Sequence, residues 1–150
     1  MNKINRVIFA SGSGTSRAPM ATAIFHATPH TRPIICEARG LIVQFPEPLN
    51  QKAEAILISN GINLTDYSSI QLSESDFSEN TLVITMEESA RQKILSEYEN
   101  ATEENTRLLN ELVGDELEVM NPYGGSVQTY GLCYEVLKAS IERLMKVLEA

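Results

Sequence analysis

Arg6-VIFASGSGTSRAPMATAI-Phe25 decides the fold. An apolar run, Val7 to Ala10, meets a loop of small residues, Ser11 to Ser16. A single arginine, Arg17, follows, and then Pro19 and an apolar helical pattern. The order is buried strand, small-residue loop, helix start. Small residues let consecutive backbone N–H groups curl around one anion, and the helix behind them points its positive end to the same place. Gly12 and Gly14 can take positive φ without strain. Arg17 can give two parallel hydrogen bonds to a phosphate. The competing reading at this stage is a plain glycine-serine turn carrying a surface arginine.

Working outward, strand and helix patterns alternate. Ile4–Ala10 reads as a strand and Pro19–Ala27 as a helix. Ile34–Glu37 reads as a short strand. Phe45 to Pro48 is a turn, and Asn50 caps a helix through Ile58 that Asn60-Gly61 stops. Leu64–Asp76 is polar and mixed, a loop with a short helix. Thr81–Met86 is a third strand, and Glu87–Tyr98 a helix with acid in its first turn. Arg107–Leu109 is a candidate fourth strand, Asn121 to Gly125 a loop, and Val127–Leu148 a long amphipathic helix. Leu132, Val136, Ile141, Leu144 and Leu148 are expected on its apolar stripe. Such alternation implies an α/β fold, with parallel strands joined by right-handed crossovers. Ligands in such sheets sit beyond the carboxyl ends of the strands, which is where Ser11–Arg17 falls.

The bulk composition limits the function. The 150 residues fit one domain, residues 1–150, with 43% apolar and 21% charged residues. A net charge of −8 argues against nucleic acid or an anionic membrane as partner, so any anion site must be local. No run is long enough for a membrane span or a secretory signal. Cys36 and Cys133 do not make a disulfide framework, and the expected location is the cytoplasm. A Walker loop is excluded because it ends in Gly-Lys-Ser/Thr and no lysine stands in Ser11–Arg17. A dinucleotide loop needs a third glycine where Arg17 stands. Glu37 falls near the position of an acidic ribose ligand, but the chain leaves little room for the second half of that fold.

The residues resemble the low-molecular-weight protein tyrosine phosphatases and their arsenate reductase relatives. That family carries Cys, five residues, Arg, then Ser or Thr, then Pro, directly after its first strand. Here the register reads Ser11, Gly12-Ser13-Gly14-Thr15-Ser16, Arg17, Ala18, Pro19. The family's late Asp-Pro-Tyr is Asn121-Pro122-Tyr123, followed by Gly124-Gly125. Gly61-Ile62-Asn63-Leu64 and the strand ending at Met86 also match. The resemblance implies a three-layer α/β/α sandwich around a four-stranded parallel sheet of flavodoxin-like order 2-1-3-4. It implies a phosphate-binding loop of Gly12, Ser13, Gly14, Thr15, Ser16 and Arg17, and catalytic positions at Ser11, Arg17 and Asn121. Tyr123 is the expected substrate wall, with Phe45 a weaker candidate for the opposite wall. No cofactor and no metal is implied.

The departures fall on the chemistry. Ser11 replaces the cysteine nucleophile, Asn121 the aspartic general acid, and Ala18 the hydroxyl that supports the sulfur. Gly14 replaces the loop asparagine, which takes a left-handed conformation that glycine also tolerates. A serine nucleophile needs an adjacent base. The two histidines, His26 and His30, fall at or beyond the end of the first helix. Loss of a general acid alone costs roughly 10²–10⁴-fold in rate. A cysteine-pair reductase would need a thiol at Ser11. The sequence therefore points to an impaired phosphatase relative that binds phosphate or a phosphorylated side chain such as phosphotyrosine. The alternatives are an enzyme using Ser11 and an acidic interaction scaffold with an unidentified protein partner.

Overall fold

The computed structural model describes all residues, Met1–Ala150. Its centre is a parallel sheet of β1 (Arg6–Ala10), β2 (Ile35–Arg39), β3 (Thr81–Thr85) and β4 (Thr106–Leu108). The spatial order is β2-β1-β3-β4, as the resemblance implied. Register is set by pairs such as Val7 with Cys36, Val7 with Leu82, and Ile84 with Arg107. β1 and β3 are central, which is why both read as unbroken apolar runs.

Alternation along the strands builds two cores. Val7, Phe9, Leu82 and Ile84 join a large cluster with α1 (Arg17–Ala27), α2 (Gln51–Ser59) and α5 (Val127–Glu149). Ile8, Ala10 and Val83 face the other way, onto Leu72 and Ile94 of α3 (Glu88–Glu97) in a smaller cluster. A short helix, α4 (Leu109–Leu112), follows β4, and a 3₁₀ turn spans Glu74–Asp76. Asn50 caps α2 as expected, accepting from the amides of Lys52 at 2.9 Å and Ala53 at 3.1 Å. No helix is long and apolar enough to cross a membrane.

Several element boundaries differ from the sequence reading. α1 starts at Arg17, two residues before Pro19. Proline is tolerated there because first-turn amides have no intrahelical acceptor. β2 runs on to Arg39 because Ala38 and Arg39 pair with Phe9 and Ala10. β4 lies one residue earlier than expected, and α4 was not anticipated.

The larger correction concerns α5. Leu132 and Val136 are exposed, and the buried stripe is Tyr130, Cys133, Leu137, Ile141, Leu144 and Leu148. Leu132 is nine residues from Ile141, roughly 180° around a helix turning about 100° per residue. It therefore lies opposite the core.

Candidate active site

The loop Ser11–Ser16 leaves the carboxyl end of β1 and is braced from outside at nearly every residue. The Ser11 amide donates to Arg39 O at 3.2 Å, continuing the sheet for one bond. Leu41 and Ile42 amides donate to Gly12 O at 2.7 and 3.2 Å, and the Asn50 amide donates to Thr15 O at 2.9 Å. The Tyr67 hydroxyl donates to Gly14 O. The Gly14 amide closes a turn onto Ser11 O at 2.8 Å, and the Met20 amide takes Ser16 O at 3.0 Å.

These bonds orient the amides. In a trans peptide the N–H points away from the preceding C=O. With the carbonyls of residues 11, 12, 14, 15 and 16 each held by a donor, the amides of Gly12, Ser13, Thr15, Ser16 and Arg17 turn the other way. None of those five donates to a protein acceptor. Five neighbouring donors are thus left without a protein partner, the makings of a backbone nest.

Glycine is required at two points of close approach. Gly14 has φ +73°, and a Cβ there would lie 2.9 Å from Gly40 N. A Cβ on Gly40 would lie 2.8 Å from Ser13 O. The loop is thus pressed against the end of β2 with no room for a side chain between them.

The guanidinium of Arg17 is 4% exposed, which rules out the surface-arginine reading. Its Nη1 donates to Val119 O at 3.0 Å and its Nη2 to Glu87 Oε1 at 2.8 Å. A guanidinium has five N–H donors, so these two contacts leave others for an anion while fixing its plane. Ser11, the loop residues, Arg17, Asn121 and Tyr123 line one cavity of ≈ 170 Å³. Small-molecule pockets start near ~300 Å³. The space suits a tetrahedral oxyanion and the first atoms attached to it.

The sequence placed most of these residues together, but not all. Ser11, Gly12–Arg17, Asn121 and Tyr123 do line the cavity. Phe45 does not; it is exposed in its turn, neither a wall of the cavity nor part of the core. The supports Gly40, Tyr67, Glu87 and Val119 were not foreseen. Gly40 was visible only as a glycine following a strand. Glu87 was assigned to a helix start, where the macrodipole alone explains it.

The protonation chemistry is sparse. Ser11 is buried, and its Oγ has a single hydrogen-bond partner, the Ala18 amide, which donates to it at 3.2 Å. Neither histidine is a base for it: a His26 ring nitrogen lies 3.1 Å from Cys36 O and one of His30 lies 2.8 Å from Thr28 O. Asn121 Oδ1 accepts the Tyr123 amide at 3.1 Å, fixing the late loop as an Asx turn. The Ser13 and Thr15 hydroxyls bond each other at 2.7 Å. Burial pushes the Tyr67 phenol up to about 12, against a smaller opposing effect of Arg39, so it remains a donor to the loop. Both cysteines are free and buried. Burial raises the Cys36 thiol far above its ordinary value and pushes Cys133 up to about 11.

A braced amide nest with one clamped arginine, at the first strand–helix junction of a 2-1-3-4 sheet, defines a phosphate-loop protein. The low molecular weight phosphotyrosine protein phosphatase family matches residues 6–150, and the chain belongs to it. It is similar to the low molecular weight protein-tyrosine-phosphatase PtpB of Staphylococcus epidermidis, with 26% identity over 140 residues, 93% of this chain and 96% of the relative. The low molecular weight protein tyrosine phosphatase of T. tengcongensis superposes with a TM-score of 0.86 at 27% identity, covering 94% of this chain and 97% of that one. The YwlE arginine phosphatase, as a cysteine-to-serine mutant with a phosphorylated active-site serine, superposes with a TM-score of 0.82 at 25% identity. That match covers 94% of this chain and 93% of the other.

Proposed function

We propose that this chain is a pseudophosphatase. It grips phosphate or the phosphoryl group of a side chain, with phosphotyrosine a fitting ligand, and does not hydrolyse it at a useful rate. The observation that carries this is the separation of binding from chemistry in one cavity. Five inward amides and Arg17 remain to hold a dianion, each such charge-assisted bond being worth about 1.5–3 kcal/mol. Ser11 has an amide donor and no base, and Asn121 cannot give up a proton. Loss of a carboxylate at that position also removes a negative charge facing the ligand. Tyr123 offers an exposed ring at the cavity rim, suited to an aryl phosphate. One domain working in the cytoplasm, with two reduced thiols, fits this reading.

Two measurements test it together. Calorimetric titration with phosphate, sulfate and a phosphotyrosine peptide is expected to give millimolar or tighter binding, weakened at least tenfold by Arg17→Lys, since a point ammonium cannot keep both clamps and the anion. A chromogenic aryl phosphate is expected to show no turnover above buffer. Silence with all three ligands, or turnover lost in Ser11→Ala, overturns the proposal.

A second reading has one specific observation behind it. In the arginine phosphatase relative, a serine standing for the cysteine carries a phosphoryl group. Ser11 is the counterpart by register. In this reading Ser11 Oγ forms a bond to phosphorus, the ester or amidate bond to the leaving group breaks, and the hydroxyl proton leaves with that group. The product is a phosphoserine that Asn121 cannot help water to cleave. Intact mass after incubation with an aryl phosphate decides it: one added phosphoryl group, absent in Ser11→Ala, supports this reading over pure binding.

A further inference from the structure

The segment between α4 and the Asn121 loop has features that phosphate binding does not use. Residues 114–120 cross the carboxyl edge of the sheet and turn Leu117 out to solvent at 84% exposure. Met120 and Val136 of α5 are exposed beside it, and together with Gly114–Glu118 they line a groove of ≈ 630 Å³. Leu132, one helical turn before Val136, is also exposed and extends the apolar strip. This is the face that α5 turns away from its core. Contiguous apolar surface rimmed by polar groups marks an interaction site.

The rim identifies the partner's chemistry. Asp115, Glu116 and Glu118 flank Leu117 in the chain. Glu118 accepts the Glu88 amide at 2.6 Å, which seats the rim against the first turn of α3, where the Glu88 carboxylate is already paired with Arg91. Glu135 is exposed on α5, and Arg143 pairs with Asp115. A second copy of this chain, seated by two-fold symmetry, would set these carboxylates against themselves. An anionic bilayer would be repelled by them.

The groove adjoins the phosphate cavity along the chain. Val119 O holds Arg17, and Met120 is followed directly by Asn121, which lines the cavity. Only Asn121 and Pro122 separate Met120 from Tyr123, a span of at most about 11 Å.

We propose that this groove docks a protein segment bearing apolar side chains and net positive charge. By its position the segment flanks the phosphorylated residue of the same partner. The link to the phosphorylated residue rests on the phosphoryl-binding reading; the groove itself does not. A positively charged segment seated here brings its phosphoryl group to the amide nest at high effective concentration.

The test uses a labelled twelve-residue peptide of alternating leucine and lysine, without phosphate, and its glutamate counterpart. Binding is followed by anisotropy and by ¹⁵N–¹H spectra of the full chain, and inorganic phosphate is titrated separately. The lysine peptide is expected to shift amides of residues 114–120 and 132–136. Its affinity is expected to fall about tenfold in Leu117→Ser/Met120→Ser and again in Glu116→Lys/Glu118→Lys. All four side chains are exposed, so amide changes in both variants should be confined to the groove and, because Glu118 accepts the Glu88 amide, to the first turn of α3. Equal binding of the glutamate peptide, shifts spread over every acidic face, or indifference to both double variants overturns the proposal. Self-association abolished by Leu117→Ser/Met120→Ser, or binding to phosphatidylserine vesicles in preference to the peptide, overturns it in favour of those occupants. Failure here with normal phosphate binding leaves the function above standing, and the reverse result sinks that function alone.

Discussion

Gly14 shows how much of the site rests on the absence of a side chain. Its φ of +73° disfavours any L-residue, and a Cβ would also lie 2.9 Å from Gly40 N, a backbone atom with no freedom to yield. Gly14→Ala should cost more than about 1 kcal/mol in urea unfolding. It should also weaken phosphate binding, because the loop must shift to admit the methyl group. Wild-type stability with wild-type binding would mean the loop is not braced as described. At Ser11 the missing element is acidity. The triple variant Ser11→Cys/Ala18→Ser/Asn121→Asp returns a thiol, its hydroxyl donor and a general acid to a cavity that already holds the anion donors. It should hydrolyse an aryl phosphate at least about 10²-fold faster than the parent chain, the lower bound for restoring one general acid. A triple variant that folds and binds phosphate yet stays inert would show that the scaffold, too, has diverged.

Among the elements, the strand–loop–helix at the amino end was legible and the supports around it were not. β1, the loop and α1 are consecutive in sequence, so apolar runs, glycines and a proline in the first turn suffice to find them. Arg17 meets Glu87 and Val119 at separations of 70 and 102 residues, which only the folded sheet brings together. Tyr67 sat in a stretch read as mixed loop, where nothing local distinguishes a tyrosine bound for Gly14 O. The α5 stripe was misassigned because Leu132 and Val136 are as apolar as the residues that face the core. Periodicity gives a stripe, and the choice between overlapping stripes is made by packing.

A second cross-element contact bears on stability. Asp76, buried in the 3₁₀ turn, accepts from Arg6 Nη2 at 3.1 Å and Arg39 Nε at 3.2 Å, tying β1 and β2 to the turn. Asp76→Ala leaves two largely buried guanidiniums short of a carboxylate and should cost roughly 3 kcal/mol by chemical denaturation. A loss within experimental error would mean water replaces the carboxylate without penalty.

For the whole molecule, charge separates global from local behaviour. A chain with a net charge of −8 can still hold the proposed anion, because the positive potential there would come from backbone amides and one buried guanidinium. Acid should loosen the fold through the carboxylates that are paired in it. At Glu37, burial pushes the pKa up, but hydrogen bonds and charge from Arg6 and Arg39 outweigh it and hold the value below the ordinary 4.5. A depressed carboxylate contributes stability that is fully present above its unfolded value and is lost as pH falls through the folded one. The melting-temperature gap between wild type and Glu37→Gln should therefore stay constant from neutral pH to about 5 and close below the ordinary carboxylate range. A gap that widens on acidification contradicts that assignment.

The most direct test of the central claim is a phosphate titration of the ¹⁵N-labelled chain, followed at the amides of Gly12, Ser13, Thr15, Ser16 and Arg17. The account predicts that these five move together and saturate in the millimolar range or below, while an aryl phosphate added afterwards is not consumed. Five amides that stay still through saturating phosphate, or an aryl phosphate that disappears, would contradict it.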